Sequence, residues 1–114
     1  MNLVGKMKDC RMPDYLLFYD YVPDAIEKRR SLRREHFTVA SESIARGHLI
    51  LGGAYANPVD GAVLYFRCDS QGVVEDFVRS DPYVRHGLVT SWKIREWTTV
   101  AGSMAATPLG PQDV

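Results

Sequence analysis

The residue with the clearest capacity for chemistry in this 114-residue sequence is His36, one of three histidines. An imidazole gains and loses a proton near neutral pH, so it is the usual side chain for general acid–base catalysis. His36 falls in the middle of a predicted helix, beside an apolar stripe, where it would be partly buried. A histidine in such a position is more often a hydrogen-bonded boundary residue than a catalyst, and that structural role stays open here.

A carboxylate that orients the imidazole would strengthen the catalytic interpretation of His36. Asp81 is the best partner that the sequence offers, because it stands before Pro82 at the point where the second predicted helix ends. In the expected topology, this helix end can approach the first helix. An aspartate before proline also forms turns, and the sequence alone leaves that role open for Asp81 as well.

Five basic residues lie between Lys28 and Arg34 and form the main charge cluster of the sequence. Most basic runs on helices are solvated faces. Arg30 and Arg33, however, are expected close to the apolar stripe, where a guanidinium needs a carboxylate partner or a polar cavity. Arg33 is therefore a candidate for binding an anionic oxygen of a small ligand.

Other chemistries find little support. The 14 Lys and Arg residues balance the 14 Asp and Glu residues, which argues against a nucleic-acid partner, since nucleic-acid-binding domains are usually strongly basic. No metal-ligand spacing and no phosphate-binding loop occur, so neither a metal nor a nucleotide cofactor is expected. No segment suits a membrane span, and no signal-like apolar segment precedes Cys10 and Cys68. We therefore expect a cytoplasmic protein with reduced thiols.

The apolar pattern predicts the elements that must position these side chains. Strands are expected at 15–21, 49–55, 62–68 and 91–97, the second of them bent at Gly52-Gly53. Helices are expected at 24–46 and 71–79, so the order is βαββαβ. This order predicts a ferredoxin-like α+β sandwich, in which two helices cover one face of a four-stranded antiparallel sheet. Residues 1–13 and 101–114 are expected to be flexible extensions of one domain at 14–100.

The first predicted helix has the more distinct sequence signals. Asp24 and Glu27 have the spacing of a capping box, and Gly47 ends the pattern. The stripe expected to face the core contains Ile26, Phe37, Ala40 and Ile44, together with Arg30 and Arg33. A second row lies just beside it and contains Leu32, His36, Val39 and Ser43.

The sheet poses a problem that bears on assembly. Two helices cover one face only, yet the first and third strands are apolar on both faces. Large aromatic residues must also lie on both sides of the sheet; they are Tyr19, Tyr21, Tyr65, Trp92 and Trp97. An open apolar face of this size commonly marks an interface. We therefore expect a homodimer whose sheets face one another and enclose a cavity.

The motifs and their order together resemble the YCII-related (YciI-like) family from about Tyr15 to Val100. The matching pattern is Arg30-x-x-Arg33-x-x-His36, then Gly52-Gly53, Asp81-Pro82-Tyr83 and a last strand that ends near Trp97. The resemblance implies a dimeric α+β barrel and a His–Asp pair in a small cleft, proposed to be catalytic, which falls on His36 and Asp81. One relative eliminates chloride from a chlorinated hydroxyquinol ring, and the wider fold group includes muconolactone isomerases.

Two hypotheses follow. The first is a cofactor-free lyase or isomerase in which His36 moves a proton, Asp81 orients the imidazole and Arg33 binds an anionic oxygen. The residues expected beside its small-molecule ligand are Tyr19, Gly53 and Tyr83. The alternative is a non-catalytic dimeric module that binds a small aromatic or acidic metabolite, with His36 and Asp81 as a buried hydrogen-bonded pair.

Overall fold

The computed structural model of the chain describes residues 12–114, and four strands and four α-helices lie within them. The strands are β1 (Asp14–Tyr21), β2 (Leu49–Ala54), β3 (Gly61–Arg67) and β4 (Val89–Trp97). The α-helices are α1 (Ala25–Lys28), α2 (Arg33–Ala45), α3 (Gln71–Ser80) and α4 (Pro82–Arg85), and short 3-10 helices span Arg29–Ser31 and Pro111–Asp113.

The strands form one antiparallel sheet in the order β2-β3-β1-β4, with the helices packed against one of its faces. The predicted ferredoxin-like α+β fold is confirmed. The core follows the alternation of β1, because Tyr15, Leu17 and Tyr19 are buried toward the helices. They pack with buried residues of β3 and α3, which are Ala62, Leu64, Phe66, Val74, Phe77 and Val78.

The long first helix predicted for 24–46 is wrong, because a 3-10 turn and Leu32 divide it into α1 and α2. Asp24 makes no side-chain cap, and Glu27 pairs with Arg30 at 3.1 Å instead of closing a capping box. A continuous helix would place Arg29 four residues before Arg33, and like charges at this spacing are destabilising. The charge cluster itself therefore disfavours an unbroken helix.

The stripe predicted to face the core is also wrong except at Ala40, which is buried. Ile26, Phe37 and Ile44 are each more than half exposed, whereas the neighbouring row with Val39 and Ser43 packs inward. A 3-10 turn advances by about 120° per residue, against about 100° in an α-helix, so it rotates the face that follows. The outward stripe is consequently available to line a surface cleft.

Strand β2 is an edge strand whose irregularity lies at Ile50 and not at the predicted Gly52-Gly53 bend. Its register with β3 shifts between Leu49 and Leu51. Leu49 is buried, whereas the next five residues are all exposed. Strand β2 therefore presents apolar side chains and backbone at the rim of the sheet.

The face of the sheet that carries no helix, here called the open face, holds Leu16, Phe18, Val63 and Tyr65, none of which is fully buried. A groove of about 900 Å³ lies between this face, strand β2 and the segment 98–105. Leu51 on its rim is 71% exposed. The single chain thus leaves much apolar surface uncovered.

The chain after β4 runs beside this groove and pairs with itself. The amide of Thr107 donates to the Thr99 carbonyl, and that of Leu109 donates to the Val100 carbonyl. The predicted division of the chain at residues 13 and 100 stays a prediction, and the expected extension 1–13 falls almost wholly outside the described residues. Within residues 12–114, no helix has the length and apolar character that crossing a membrane requires.

A partly buried ion pair ties β1 to β3 at one end of the sheet. Arg67 donates to the Asp14 carboxylate through Nε at 2.7 Å, and the Tyr65 hydroxyl donates to the same oxygen at 2.8 Å. Thr99 makes a longer contact of 3.4 Å to the other oxygen. The Asp14 side chain is almost completely buried, so its charge depends on these donors.

We predict that Asp14→Ala lowers the free energy of unfolding by about 2–3 kcal/mol, because it leaves Arg67 without its carboxylate. The matched control is Asp76→Ala, which removes an exposed pair with Arg79 and is expected to cost less than about 1 kcal/mol. Urea unfolding curves of both variants measure the difference. Equal midpoints would contradict a structural role for the Asp14 pair.

Candidate active site

His36 and Asp81 lie side by side, 45 residues apart in the sequence. His36 Nδ1 is 2.8 Å from Asp81 Oδ1. The Asp81 side chain is 0% exposed and the His36 side chain is 13% exposed. The structure therefore brings together the two residues that the sequence predicts as a pair, with the carboxylate inside and the imidazole at the surface of a cleft.

The local sequence explains the position of Asp81. Asp81 is the N-cap of α4, and its Oδ1 accepts a hydrogen bond from the Tyr83 amide at 3.0 Å. Pro82 occupies the first helical turn, where its missing N–H is not needed. The sequence predicted the Asp-Pro turn but not the short helix that this turn starts. Asp81 thus serves both as a cap and as the partner of His36.

Aromatic packing holds the His36 ring in place. The ring stacks on Tyr83 with 3.8 Å between centroids and an angle of 2° between planes. Phe37 meets it edge-on at 5.4 Å. These contacts fix the plane of the imidazole ring. Its two nitrogens, at the ring edge, are left to contact Asp81 and the cleft.

The hydrogen bonds assign the His36 tautomer. Asp81 accepts hydrogen bonds from the Tyr83 amide and the Tyr19 hydroxyl, as expected of an ionised carboxylate, so Nδ1 of a neutral His36 is the protonated nitrogen. Nε2 forms no hydrogen bond within residues 12–114 and is not enclosed by protein. It therefore carries a free lone pair that solvent or a ligand can reach.

Tyr19 completes the buried network from the central strand β1. Its hydroxyl donates to Asp81 Oδ2 at 2.8 Å, and the residue is 1% exposed. Burial and the neighbouring Asp81 raise the pKa of Tyr19 well above its ordinary value near 10. Tyr19 was predicted to lie beside the ligand; it borders the cleft in front of His36, and its hydroxyl is bonded to Asp81 inside the protein.

The imidazole opens into a cleft of about 410 Å³, here called the His36 cleft. The outward stripe of α2 forms one wall, with Phe37 and Ile44, and strand β2 forms the opposite wall. Gly53 lies on this second wall, and no atom comes within 4 Å of the place where a β-carbon would sit. Because Gly53 pairs with Val63 of the open face, a side chain at position 53 would point toward that face, and it is the Gly53 backbone that borders the cleft.

Two arginines stand at this cleft. Arg29 and Arg33 both line it, and neither forms an ion pair with any residue of the described part of the chain. The Arg33 guanidinium lies 5.5 Å from the centre of the Phe37 ring. Arg30 lies outside the cleft lining and pairs with Glu27, so the expectation that it would approach the core is wrong.

Arg29 is a cleft residue that the sequence reasoning did not single out. The available signal was its spacing, since residues four apart share one side of a helical segment and Arg29 stands four before Arg33. Within residues 12–114, no group of three or more His, Cys, Asp or Glu side chains is arranged to hold a metal ion.

The phenols at the cleft are neutral donors over a wide pH range. Burial is the largest cause that raises the pKa of Tyr21, to about 12, and it also raises that of Tyr83. Arg29 and Arg33 act in the opposite direction on both phenols, because a nearby positive charge favours the phenolate. The positive potential of the two arginines thus extends across the cleft.

Among known protein families, the family model of the YCII-related domain matches residues 14–98 of this chain. None of the curated proteins matches the chain.

Two similar solved structures share the fold. One is 5-chloro-2-hydroxyhydroquinone dehydrochlorinase from Burkholderia phenoliruptrix in complex with 2,5-dihydroxybenzoquinone, which is 19% identical. The match covers 75% of this chain and 94% of that chain, with a TM-score of 0.65. The other is a protein of Pseudomonas aeruginosa that is 15% identical, with 79% and 96% covered and a TM-score of 0.53.

We predict that stability falls as the pH rises above 10. A tyrosine of the unfolded chain ionises near pH 10, whereas folded Tyr21 keeps its proton to about pH 12. The contribution of the protonated Tyr21 phenol to the free energy of unfolding is complete below pH 10 and is lost as the pH rises toward 12. Urea unfolding between pH 9 and 11.5 measures the decline, which should be shallower in Tyr21→Phe. The same slope in both proteins would contradict the buried phenol.

Proposed function

We propose that this chain, which belongs to the YCII-related domain family, is an enzyme of the lyase or isomerase type. In this proposal the enzyme moves a proton of a small anionic, ring-shaped substrate. His36 is the proton-transferring base and Asp81 orients it. The chemistry requires only side chains that the chain supplies.

The observation that carries this proposal is the combination of a buried Asp81 and an accessible Nε2 on His36. A carboxylate at Nδ1 fixes the tautomer that leaves Nε2 as the base, and it stabilises the imidazolium once the proton has moved. A ligand in the His36 cleft can reach this nitrogen directly. A purely structural pair would not need an open edge.

The proposed step is a proton transfer coupled to loss of a leaving group or to tautomerisation. In the elimination of hydrogen chloride from a chlorinated hydroxyquinol, the ring first tautomerises: one hydroxyl loses its proton and the chlorine-bearing carbon gains one. Nε2 then takes the proton of a second hydroxyl, the O–H electron pair moves through the ring to form a quinone carbonyl, and chloride leaves with the C–Cl electrons. General acid–base assistance of this kind typically accelerates a reaction by about 10²–10⁴-fold. That range suits a substrate whose proton is already acidic.

The charge of the cleft supports an anionic substrate. Arg33, together with Arg29, offers guanidinium donors that no described carboxylate neutralises. The ring contacts between Tyr83 and His36 and the exposed Phe37 offer flat apolar surface beside them. A planar ring with a carboxylate or phenolate oxygen matches both features.

The open face supports the proposal that the working unit is a homodimer. Leu51, Trp97 and Met104 are exposed at the apolar groove, as expected of a surface that a second copy covers. Residues 50–54 line both this groove and the His36 cleft. A partner on the open face would therefore stand next to the site and help to exclude water from it.

A second candidate function is ligand binding without catalysis. The observation that favours it is that Asp81 caps α4 and would be needed for the fold even in an inactive protein. In that case the His36–Asp81 pair would hold the cleft in shape, and the arginines alone would select an acidic metabolite.

We predict that the protein releases chloride from 5-chloro-2-hydroxyhydroquinone and that His36→Ala lowers kcat/KM by about 10²–10⁴-fold. The control is His86→Ala, which changes an exposed histidine outside the cleft. Undiminished turnover in His36→Ala would rule out the catalytic proposal. Binding of 2,5-dihydroxybenzoquinone in the cleft without turnover, followed by NMR, would favour the binding module.

Arg33→Gln is expected to weaken binding of 2,5-dihydroxybenzoquinone, a vinylogous acid, by about tenfold, equal to about 1.4 kcal/mol. Arg30→Gln is the matched control, because Arg30 belongs to the same cluster but pairs with Glu27 outside the cleft. Isothermal titration calorimetry measures both. An equal loss in the two variants would indicate nonspecific attraction and contradict a role for Arg33 in the cleft.

We predict a mass in light scattering of twice the chain mass of 12.9 kDa. Leu51→Asp should shift the protein toward the single-chain mass, because it places a charge in the apolar groove. Ile26→Asp, at an exposed position outside the groove, should leave the mass unchanged. A wild-type mass of one chain would contradict the dimer.

A further inference from the structure

We propose that Tyr19 is a positioning residue of the site: its phenol holds Asp81 so that Oδ1 stays on Nδ1 of His36 and Nε2 stays free toward the cleft. This inference rests on the proposed function of His36 as a base. It assigns Tyr19 a role different from contact with the ligand.

The hydrogen bonds of Asp81 show why the phenol is needed. Oδ1 has two donors, His36 Nδ1 at 2.8 Å and the Tyr83 amide at 3.0 Å. Oδ2 has one donor within the described chain, the Tyr19 hydroxyl at 2.8 Å. Because Asp81 is fully buried, water cannot replace that donor without a change of structure. Removal of the hydroxyl therefore leaves a charged oxygen without a partner.

The place of Tyr19 in the fold makes it a rigid support. It lies on the central strand β1, opposite Ala62 of β3 and Trp92 of β4. The helix that Asp81 caps, in contrast, has only four residues. The Tyr19 hydroxyl thus ties the short helix α4 and its capping carboxylate to a strand that is paired on both sides.

The surroundings of Tyr19 keep its phenol protonated, which is the form that donates to Asp81. Burial, then the Asp81 charge, raises the pKa of Tyr19, so the phenol retains its proton at physiological pH. With Tyr19 as the fixed donor, a rotation of the carboxylate would break the bond at Oδ2. Without it, the Asp81 carboxylate can turn away from Nδ1, and His36 is then free to place its own proton on Nε2.

Loss of the hydroxyl should therefore change turnover and not ligand affinity. Tyr19 and Arg33 both border the His36 cleft, but Tyr19 is almost fully buried, whereas Arg33 is exposed. A residue that acts through Asp81 affects the fraction of His36 in the reactive tautomer. A residue that contacts the ligand affects KM.

The test is ¹⁵N NMR of the histidine side chains in Tyr19→Phe at neutral pH, with His48→Gln and His86→Gln used for assignment. The wild-type protein should show His36 protonated at Nδ1, and Tyr19→Phe should lose this pattern and move toward the average of the two tautomers. Tyr21→Phe is the matched control, because Tyr21 lines the cleft but is not among the donors to Asp81. An unchanged Nδ1–H pattern in Tyr19→Phe would overturn the inference.

If Tyr19→Phe does not fold, 3-fluorotyrosine at position 19 replaces it. This analogue keeps the shape and is a stronger donor, so the His36 Nδ1 signal should shift; no shift would overturn the inference.

Kinetics with 5-chloro-2-hydroxyhydroquinone separate the two proposals. Tyr19→Phe should lower kcat by at least about tenfold with KM within about twofold, since a misplaced base slows the chemical step. A raised KM with unchanged kcat would overturn the inference in favour of ligand contact. Full turnover by His36→Ala would defeat the proposed function alone, because the NMR result needs no turnover.

Discussion

The site depends on one constraint: the carboxylate of Asp81 is buried and charged, so every lone pair that faces the protein needs a donor. The donors come from three elements, the phenol of Tyr19 on β1, the imidazole of His36 on α2 and the amide of Tyr83 in α4. Meeting this requirement fixes the distance between the sheet and two helices. The same requirement leaves only one nitrogen of His36, Nε2, for chemistry. Fold and proposed function therefore share a single set of contacts.

The cleft follows from a departure from ordinary core packing. Helix α2 turns its more apolar stripe outward, so Phe37 and Ile44 form a wall of the cleft while Ala40 and Ser43 face the interior. The opposite wall belongs to an edge strand that also borders the open face. A surface of this kind is costly for an isolated chain, and it is useful when a partner and a ligand cover it. This arrangement explains why α2 has only two buried residues. The core itself is not weak, because β1, β3 and α3 contribute most of its buried side chains.

The sequence predicted the parts of the molecule that local rules determine. Alternation in β1 and β3 indicated the strands, and Asp81-Pro82 marked a helix boundary that proved to be an N-cap. The pairing of His36 with Asp81 was expected from topology and from the family resemblance. Other features arise from contacts between distant residues, such as the bond from Tyr19 to Asp81 across 62 positions. No periodicity reports a contact of that kind, and the apolar pattern of the first helix gives no sign of the 3-10 turn at Arg29–Ser31 that rotates α2.

The most direct measurement of the central claim is a crystal structure of the protein soaked with 2,5-dihydroxybenzoquinone. We predict that the ring lies in the His36 cleft, with an oxygen about 2.6–3.2 Å from Nε2 and an anionic oxygen toward Arg33. Asp81 should remain on Nδ1 in that complex. A ring bound only in the apolar groove of the open face, or an imidazole turned away from Asp81 when the ligand is present, would contradict it.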